Sequence, residues 1–215
     1  MVVGWKGIIL QHSINQNYYT TGNLQWYDST VSGGIRTQAF LSRSLPNGDT
    51  VFVTHWGDST EFFYVNKIEA FNDSEFIIGA SVRHDIAILN PHDFYLTKID
   101  TSGNIIWNKR ISTGINDYLL NFDISHDSKR IYAAGGHFID PIDDFSKPHF
   151  KVLDDSANVL FTKEWTDSAY SDGAIVFDRK LSDSLRADQL LVVCGIDTVI
   201  YYSNGWVQAY YNLAT

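Results

Sequence analysis

The chain repeats itself at long period. Residues 39–56 run AFLSRSLPNGDTVFVTHW in phase with FYLTKIDTSGNIIWNKRI at 94–111 and FKVLDDSANVLFTKEW at 150–165. Each is followed by an apolar phrase: FIIGASV, IYAAGGH and LLVVCGID. Phe40, Phe94 and Phe150 mark the phase, 54 and then 56 residues apart. A unit of that size holding four strand-like runs is the signature of a radial repeat, a β-propeller, and it has to be read before any single residue. Within the clearest unit, 95–99 alternates in strand fashion, Asp100-Thr101-Ser102-Gly103-Asn104 turns, and 105–111 returns. Residues 118–125 and 130–136 supply two more strands, the last with the small residues Ala133, Ala134, Gly135 and Gly136 where neighbouring sheets converge.

The composition suits such a fold. Of 215 residues, 44 % are apolar, enough to bury a core, and 14 % are aromatic, the residues that favour pleated, half-buried strands. The net charge of −9, with 16 basic residues scattered among 25 acidic ones, excludes a backbone-tracking nucleic-acid protein and argues against anionic membranes. The single cysteine, Cys194, lies in an apolar run and reads as a small buried hydrophobe. No run is long enough to span a bilayer, and MVVGWKGIIL lacks the basic start and cleavage site of a signal peptide. Instead its Gly4 matches Gly79, Gly135 and Gly195 of the apolar phrases, so the chain is expected to start part-way through a repeat.

The pattern Lys98-x-Asp100-x-x-Gly103-Asn104-x-x-Trp107-x-Lys109, with Asp123 and Ala134-Gly135 following, resembles the seven-bladed β-propeller repeat family of secreted and surface proteins. At 150–197 Ala157 and Phe161 replace Gly103 and Trp107, and at 40–82 the turn is Pro46-Asn47-Gly48-Asp49. The resemblance implies tandem four-stranded blades and a binding or scaffold role, with no catalytic motif to transfer. The expected fold is all-β: one propeller-like domain over 1–215, of about four blades of four antiparallel strands, at 1–57, 61–112, 117–166 and 173–212. The first blade is expected to be incomplete, for want of an innermost strand before Met1, leaving about fifteen strands. An incomplete blade exposes an edge that templates pairing. A longer propeller, another chain or another segment is therefore expected to cover it, ahead of a self-contained four-bladed ring.

Function is expected in the loops joining second to third strands, read as 6–38, 83–93 and 138–149. The first carries Tyr18, Tyr19, Trp26, Tyr27 and Asp28, aromatics beside a carboxylate that suit a sugar or a protein partner. The competing reading is an extra hairpin at 8–12 and 22–27 whose aromatics pack on the blade. His84, Asp85, His92, Asp93, His137, Asp140, Asp143 and Asp144 share this loop set but match no metal-site spacing, so no metal and no cofactor is expected. No nucleophile elbow or phosphate loop is present, and no catalytic residue is assigned. Asp123, Asp178 and Glu69 recur near equivalent places and read as structural carboxylates, since a catalytic pair would break the repeat. Asn72-Asp73-Ser74 is an acceptor triplet for N-glycosylation in a turn.

These features predict a non-enzymatic propeller module, extracellular or at the cell surface, serving as a structural or protein-interaction scaffold. The expected partner is a protein, or a second copy joined through an open blade edge; nucleic acid and membrane insertion are not expected. The alternatives are a lectin-like propeller that stacks glycans on Tyr18, Tyr19, Trp26 and Tyr27, and a propeller hydrolase with carboxylates at a central channel.

Overall fold

The structure, a computed structural model, describes residues 2–11, 16–29, 35–58, 61–83, 92–111, 117–125, 128–140, 145–164, 175–177, 192–194, 197–202 and 205–210. Among them every regular element is a β-strand. The chain divides into two compact units, Met1–Ser112 and Thr113–Thr215. The first holds two four-stranded sheets. Sheet 1 comprises β1 (Val2–Gln11), β2 (Tyr18–Tyr27), β3 (Ile35–Ser44) and β4 (Thr50–Trp56); sheet 2 comprises β5 (Phe62–Asn72), β6 (Glu75–Arg83), β7 (His92–Asp100) and β8 (Ile105–Ile111). The second unit holds sheet 3: β9 (Asp117–Ile124), β10 (Arg130–Asp140), β11 (Phe145–Asp154) and β12 (Val159–Glu164). Two hairpins follow, β13 (Ile175–Phe177) with β14 (Val192–Cys194) and β15 (Asp197–Tyr202) with β16 (Gly205–Tyr210). The four-stranded sheets are antiparallel meanders in chain order, the blade unit of a propeller. The three marker phenylalanines all lie in third strands: Phe40 pairs with Gly22 and His55, Phe94 with Ser81 and Ile111, Phe150 with Ala134 and Lys163.

The first sheet corrects the sequence reading. It is complete, because residues 6–38 are not one loop: they finish β1, make all of β2 and begin β3. Gly4 lies in the first strand opposite Gln25, whereas Gly79 and Gly135 lie in second strands. Gly195 falls outside the described residues. The second strand of sheet 1 was hidden because its inward residues are polar: Thr21, Gly22 and Asn23 stand where the other sheets carry aliphatic phrases. The polarity is compensated by hydrogen bonds. Thr21 Oγ1 donates to the Phe40 carbonyl at 2.6 Å, and Asn23 Oδ1 accepts from the Val65 N–H at 2.9 Å. The supposed loop 138–149 is also mostly strand, since β10 continues to Asp140 and β11 starts at Phe145. With sheet 1 complete, the argument for an exposed edge from a missing strand falls.

The turns from third to fourth strand explain the repeated Asp-x-x-Gly-Asn phrase. In each, the first residue's N–H reaches the fifth residue's carbonyl and the fourth residue's N–H reaches the first carbonyl. This holds for Leu45/Gly48/Asp49, Asp100/Gly103/Asn104 and Asp154/Ala157/Asn158, at 2.8–3.0 Å. The fourth residue is left-handed, Gly48 at φ 92°, Gly103 at 90° and Ala157 at 57°, the geometry of a three-residue hairpin loop closing on a bulge. Asp100 locks its turn by accepting from the Ser102 and Asn104 N–H groups and from Asn104 Nδ2; Asp154 does the same with Ser156 and Asn158. Slight burial pushes the Asp100 carboxyl up, but the hydrogen bonds from Asn104, Ser102 and Gly103 together outweigh it and leave its pKa lowered.

Within the first unit the sheets meet over Tyr19, Leu41, Trp56, Phe63, Val65, Phe76, Ile78, Val82 and Ile99. Strand β5 is an edge of sheet 2, so its outward N–H groups need partners. Sheet 1 supplies them: Thr37 Oγ1 accepts from the Phe63 N–H at 2.6 Å, and Asn23 serves Val65. These two buried polar side chains stand in for the strand that β5 lacks. Thr37→Val keeps the shape but leaves the Phe63 donor buried and unmet, and is expected to cost about 1–3 kcal/mol. Urea unfolding at unchanged m-value checks it; a midpoint equal to the wild type's would show that water replaces the hydroxyl. The second unit buries Leu119, Phe122, Ile124, Ile131, Ala133, Phe150 and Leu153.

Candidate functional site

At one end of sheet 2 the start of β5, the end of β6, the start of β7 and the end of β8 bring charged residues together. Alternation along the strands sorts them onto two faces. On the face toward sheet 1, Arg110 Nη2 donates to Glu61 Oε1 at 2.6 Å and its Nε lies 3.2 Å from Asp93 Oδ2. Asp93 is buried, and one arginine serves two carboxylates. Burial and then the Glu61 charge raise the Tyr95 phenol pKa, which Arg110 partly offsets.

Sheet 3 carries a charge cluster of its own. Asp117 stands just before Tyr118 as Glu61 stands just before Phe62. Its Oδ1 lies 3.5 Å from His149 Nδ1 and its Oδ2 lies 3.7 Å from Lys151 Nζ, all three side chains being at most 1 % exposed. Burial lowers the Lys151 amine's pKa, and the charges of Asp117 and Glu164 only partly restore it. In each sheet an acid at the start of the first strand is met by a base from a later strand, Arg110 of β8 for Glu61 and His149 and Lys151 of β11 for Asp117.

The other face of sheet 2 is different. Phe62, Arg83 and His92 lie directly across from one another in register. The guanidinium carbon of Arg83 sits 5.4 Å from the Phe62 ring centroid and 5.8 Å from that of Tyr64, a cation over two aromatic rings. The His92 ring is 6.3 Å from Tyr64, edge-on. Burial and then the Arg83 charge hold the His92 pKa below its usual value, against Asp93, which favours the neutral imidazole. Tyr64 is exposed.

The residues expected from sequence disperse. Tyr19 is wholly buried in the core: its ring lies 4.6 Å from Phe76 and its hydroxyl donates to the Thr101 carbonyl at 3.3 Å, so it offers no platform. Tyr18 and Tyr27 are exposed at opposite ends of β2, and Trp26 beside Tyr27 is half-buried. Asp28 is joined to Arg36 Nε at 2.6 Å. In place of an extra hairpin of 8–12 with 22–27, β1 and β2 are two strands of the sheet, with residues 8–11 paired to 18–21 and 22–26 paired to 2–7. Asp123 spends Oδ1 on the Ile124 N–H and Glu69 is paired to Lys67 at 2.9 Å, both structural roles. Asn72 is exposed, with Oδ1 accepting from Ser74 and Nδ2 donating to Glu75. Among the described residues no group of three or more His, Cys, Asp or Glu is placed to hold a metal. His84, Asp85, Asp143, Asp144 and Asp178 lie outside the described residues, as do the side chains of His137, Asp140 and Cys194.

The sequence reading missed Tyr64 and Arg83.

No family model matches this chain, and no curated protein does. Among solved structures it is similar to "Crystal structure of an ACO/RPE65 chimera", at 10 % identity and a TM-score of 0.49, over 89 % of this chain. The chain spans 45 % of the length of that structure.

Proposed function

We propose that this chain is a non-enzymatic repeat module of the propeller type, extracellular or at the cell surface, acting as a structural and protein-interaction scaffold. The observation that supports it is the use to which the clustered charges are put. Glu61, Asp93 and Arg110 in sheet 2 are joined to one another by ion pairs, as are Asp117, His149 and Lys151 in sheet 3. Charges paired with one another inside a sheet brace the fold, and leave those groups engaged rather than poised for a substrate. A panel of glycoside and peptide substrates tests this reading. Turnover is expected to match buffer, and hydrolysis near 1 s⁻¹ or faster, a rate of about the order enzymes reach, would overturn it.

A lectin-like role is the second reading, favoured by Tyr27, which is 64 % exposed beside Trp26 and the Asp28–Arg36 pair. It predicts glycan-array binding that is lost on Trp26→Ala.

A further inference from the structure

We propose that Asn72 is a modification site that carries an N-linked oligosaccharide, transferred to its amide nitrogen from a lipid-pyrophosphate donor. The inference rests on the extracellular part of the scaffold reading and adds a covalent site to it. The sequence supplies the acceptor: Asn72-Asp73-Ser74 is the single Asn-x-Ser/Thr triplet in 215 residues. The fold presents it. β5 ends at Asn72 and β6 starts at Glu75, paired with each other in register, so Asp73 and Ser74 form the two-residue turn of a hairpin. All three residues of the triplet are exposed. Their side chains are already arranged for the chemistry. Asn72 Oδ1 accepts from the Ser74 N–H at 2.8 Å and from the Ser74 hydroxyl at 3.0 Å, and Asn72 Nδ2 donates to Glu75 Oε2 at 2.6 Å. These bonds all close between residues 72 and 75, so the turn makes them without waiting for the rest of the fold. The folded chain then holds the turn in place: Glu75 is paired to Lys98 at 2.9 Å, and the Ser74 carbonyl accepts from the Thr101 N–H at 2.9 Å.

The transfer balances on these atoms. Nδ2 attacks the anomeric carbon of the donor sugar, and a C–N bond forms as the C–O bond to pyrophosphate breaks. The lipid pyrophosphate leaves with that electron pair, and Nδ2 gives a proton to a base of the transferring enzyme. As the proton leaves, negative charge builds on Oδ1, where the Ser74 hydroxyl and N–H already donate. A side-chain amide carries two N–H groups. The sugar replaces one, and the other keeps the bond to Glu75, so the modification needs no rearrangement of the turn. Asn72 closes β5 about 33 Å from its start at Phe62, at the far end from the Glu61–Arg110 pair. A hydrophilic glycan there keeps this end of sheet 2 in water, so the protein contacts of the scaffold fall elsewhere.

The test is expression of the full chain behind a cleavable secretion leader in cultured mammalian cells. Chain recovered from the medium and from the secretory lumen is weighed by intact-mass spectrometry, before and after treatment with peptide-N-glycosidase. The wild type is expected to carry one oligosaccharide, which the amidase removes, leaving an aspartate where the asparagine stood. Asn72→Gln, Ser74→Ala and Asp73→Pro should each lose the added mass completely, while Ser74→Thr keeps it. Wild-type chain that enters the lumen with Asn72 unmodified would overturn the site, as would added mass that persists in Asn72→Gln. The wild-type arm needs no variant to fold, and the Ser74→Thr arm shows that a changed turn is still read. The result is separable from the turnover panel: hydrolysis would remove the scaffold reading whether or not the glycan is present, and an unmodified Asn72 would remove only this site.

Discussion

Asp117→Ala is expected to destabilise the second unit by about 3–5 kcal/mol, a large share of what a domain typically holds in reserve. Asp117 is wholly buried, with His149 against one oxygen and Lys151 against the other. Deleting the carboxylate leaves the buried lysine amine without its nearest counter-charge, with only Glu164 still acting on it. The transition in near-UV circular dichroism should move to lower urea. Asp117→Asn should lose nearly as much, because it keeps the shape and removes the charge. The double variant Asp117→Leu/Lys151→Met should recover most of the loss, since an apolar pair of similar volume has no desolvation penalty to overcome. A single substitution as costly as the others but not rescued would mean that the backbone start of β9, and not the charge, needs Asp117.

The same node sets a pH dependence. Burial lowers the Lys151 pKa in the folded state. The unfolded chain therefore holds that proton more tightly than the native one. Between the native pKa and the ordinary lysine value the unfolded state binds more protons, so this residue's contribution to stability rises with pH across that window. Below the window the penalty is present in full. Lys151→Met should flatten that slope in the alkaline range.

The parts that were legible in sequence were those in which local chemistry and fold agree. The Asp100 turn declared itself because a left-handed residue and an Asx lock both have preferred side chains, and the structure shows the same lock at Asp154. The marker phenylalanines located the third strands because each of those strands buries an apolar residue near its middle. Strand β2 was illegible because tertiary structure overrode its pattern. Thr21 and Asn23 face inward, and their partners, Phe40 and Val65, are 19 and 42 residues away. No local window holds that information. Tyr19 was misplaced for the same reason: beside an exposed Tyr18, only strand alternation sends it to the core. The charge nodes were invisible as clusters, since His149 and Lys151 meet Asp117 only when three strands are paired.

Phe63→Ala is expected to cost the first unit about 3–5 kcal/mol, the range for emptying a buried aromatic site. Its ring is fully buried, packs edge-on against Tyr95 at 5.1 Å between centroids, and lies directly over Gly57. Gly57 has φ 115°, and a Cβ there would run into the Phe63 ring. Gly57→Ala therefore carries two penalties, backbone strain of about 1–2 kcal/mol and an overlap of about 1–3 kcal/mol. The two are separable. Once Phe63 is alanine, the methyl at 57 enters the space that the ring vacated, so only the backbone strain remains. The double variant should then lose less than the sum of the singles, by at least about 1 kcal/mol of coupling. Strict additivity in urea unfolding would mean that the ring moves aside at no cost. The close seat of Phe63 on Gly57 would then not be what fixes the link between sheets 1 and 2.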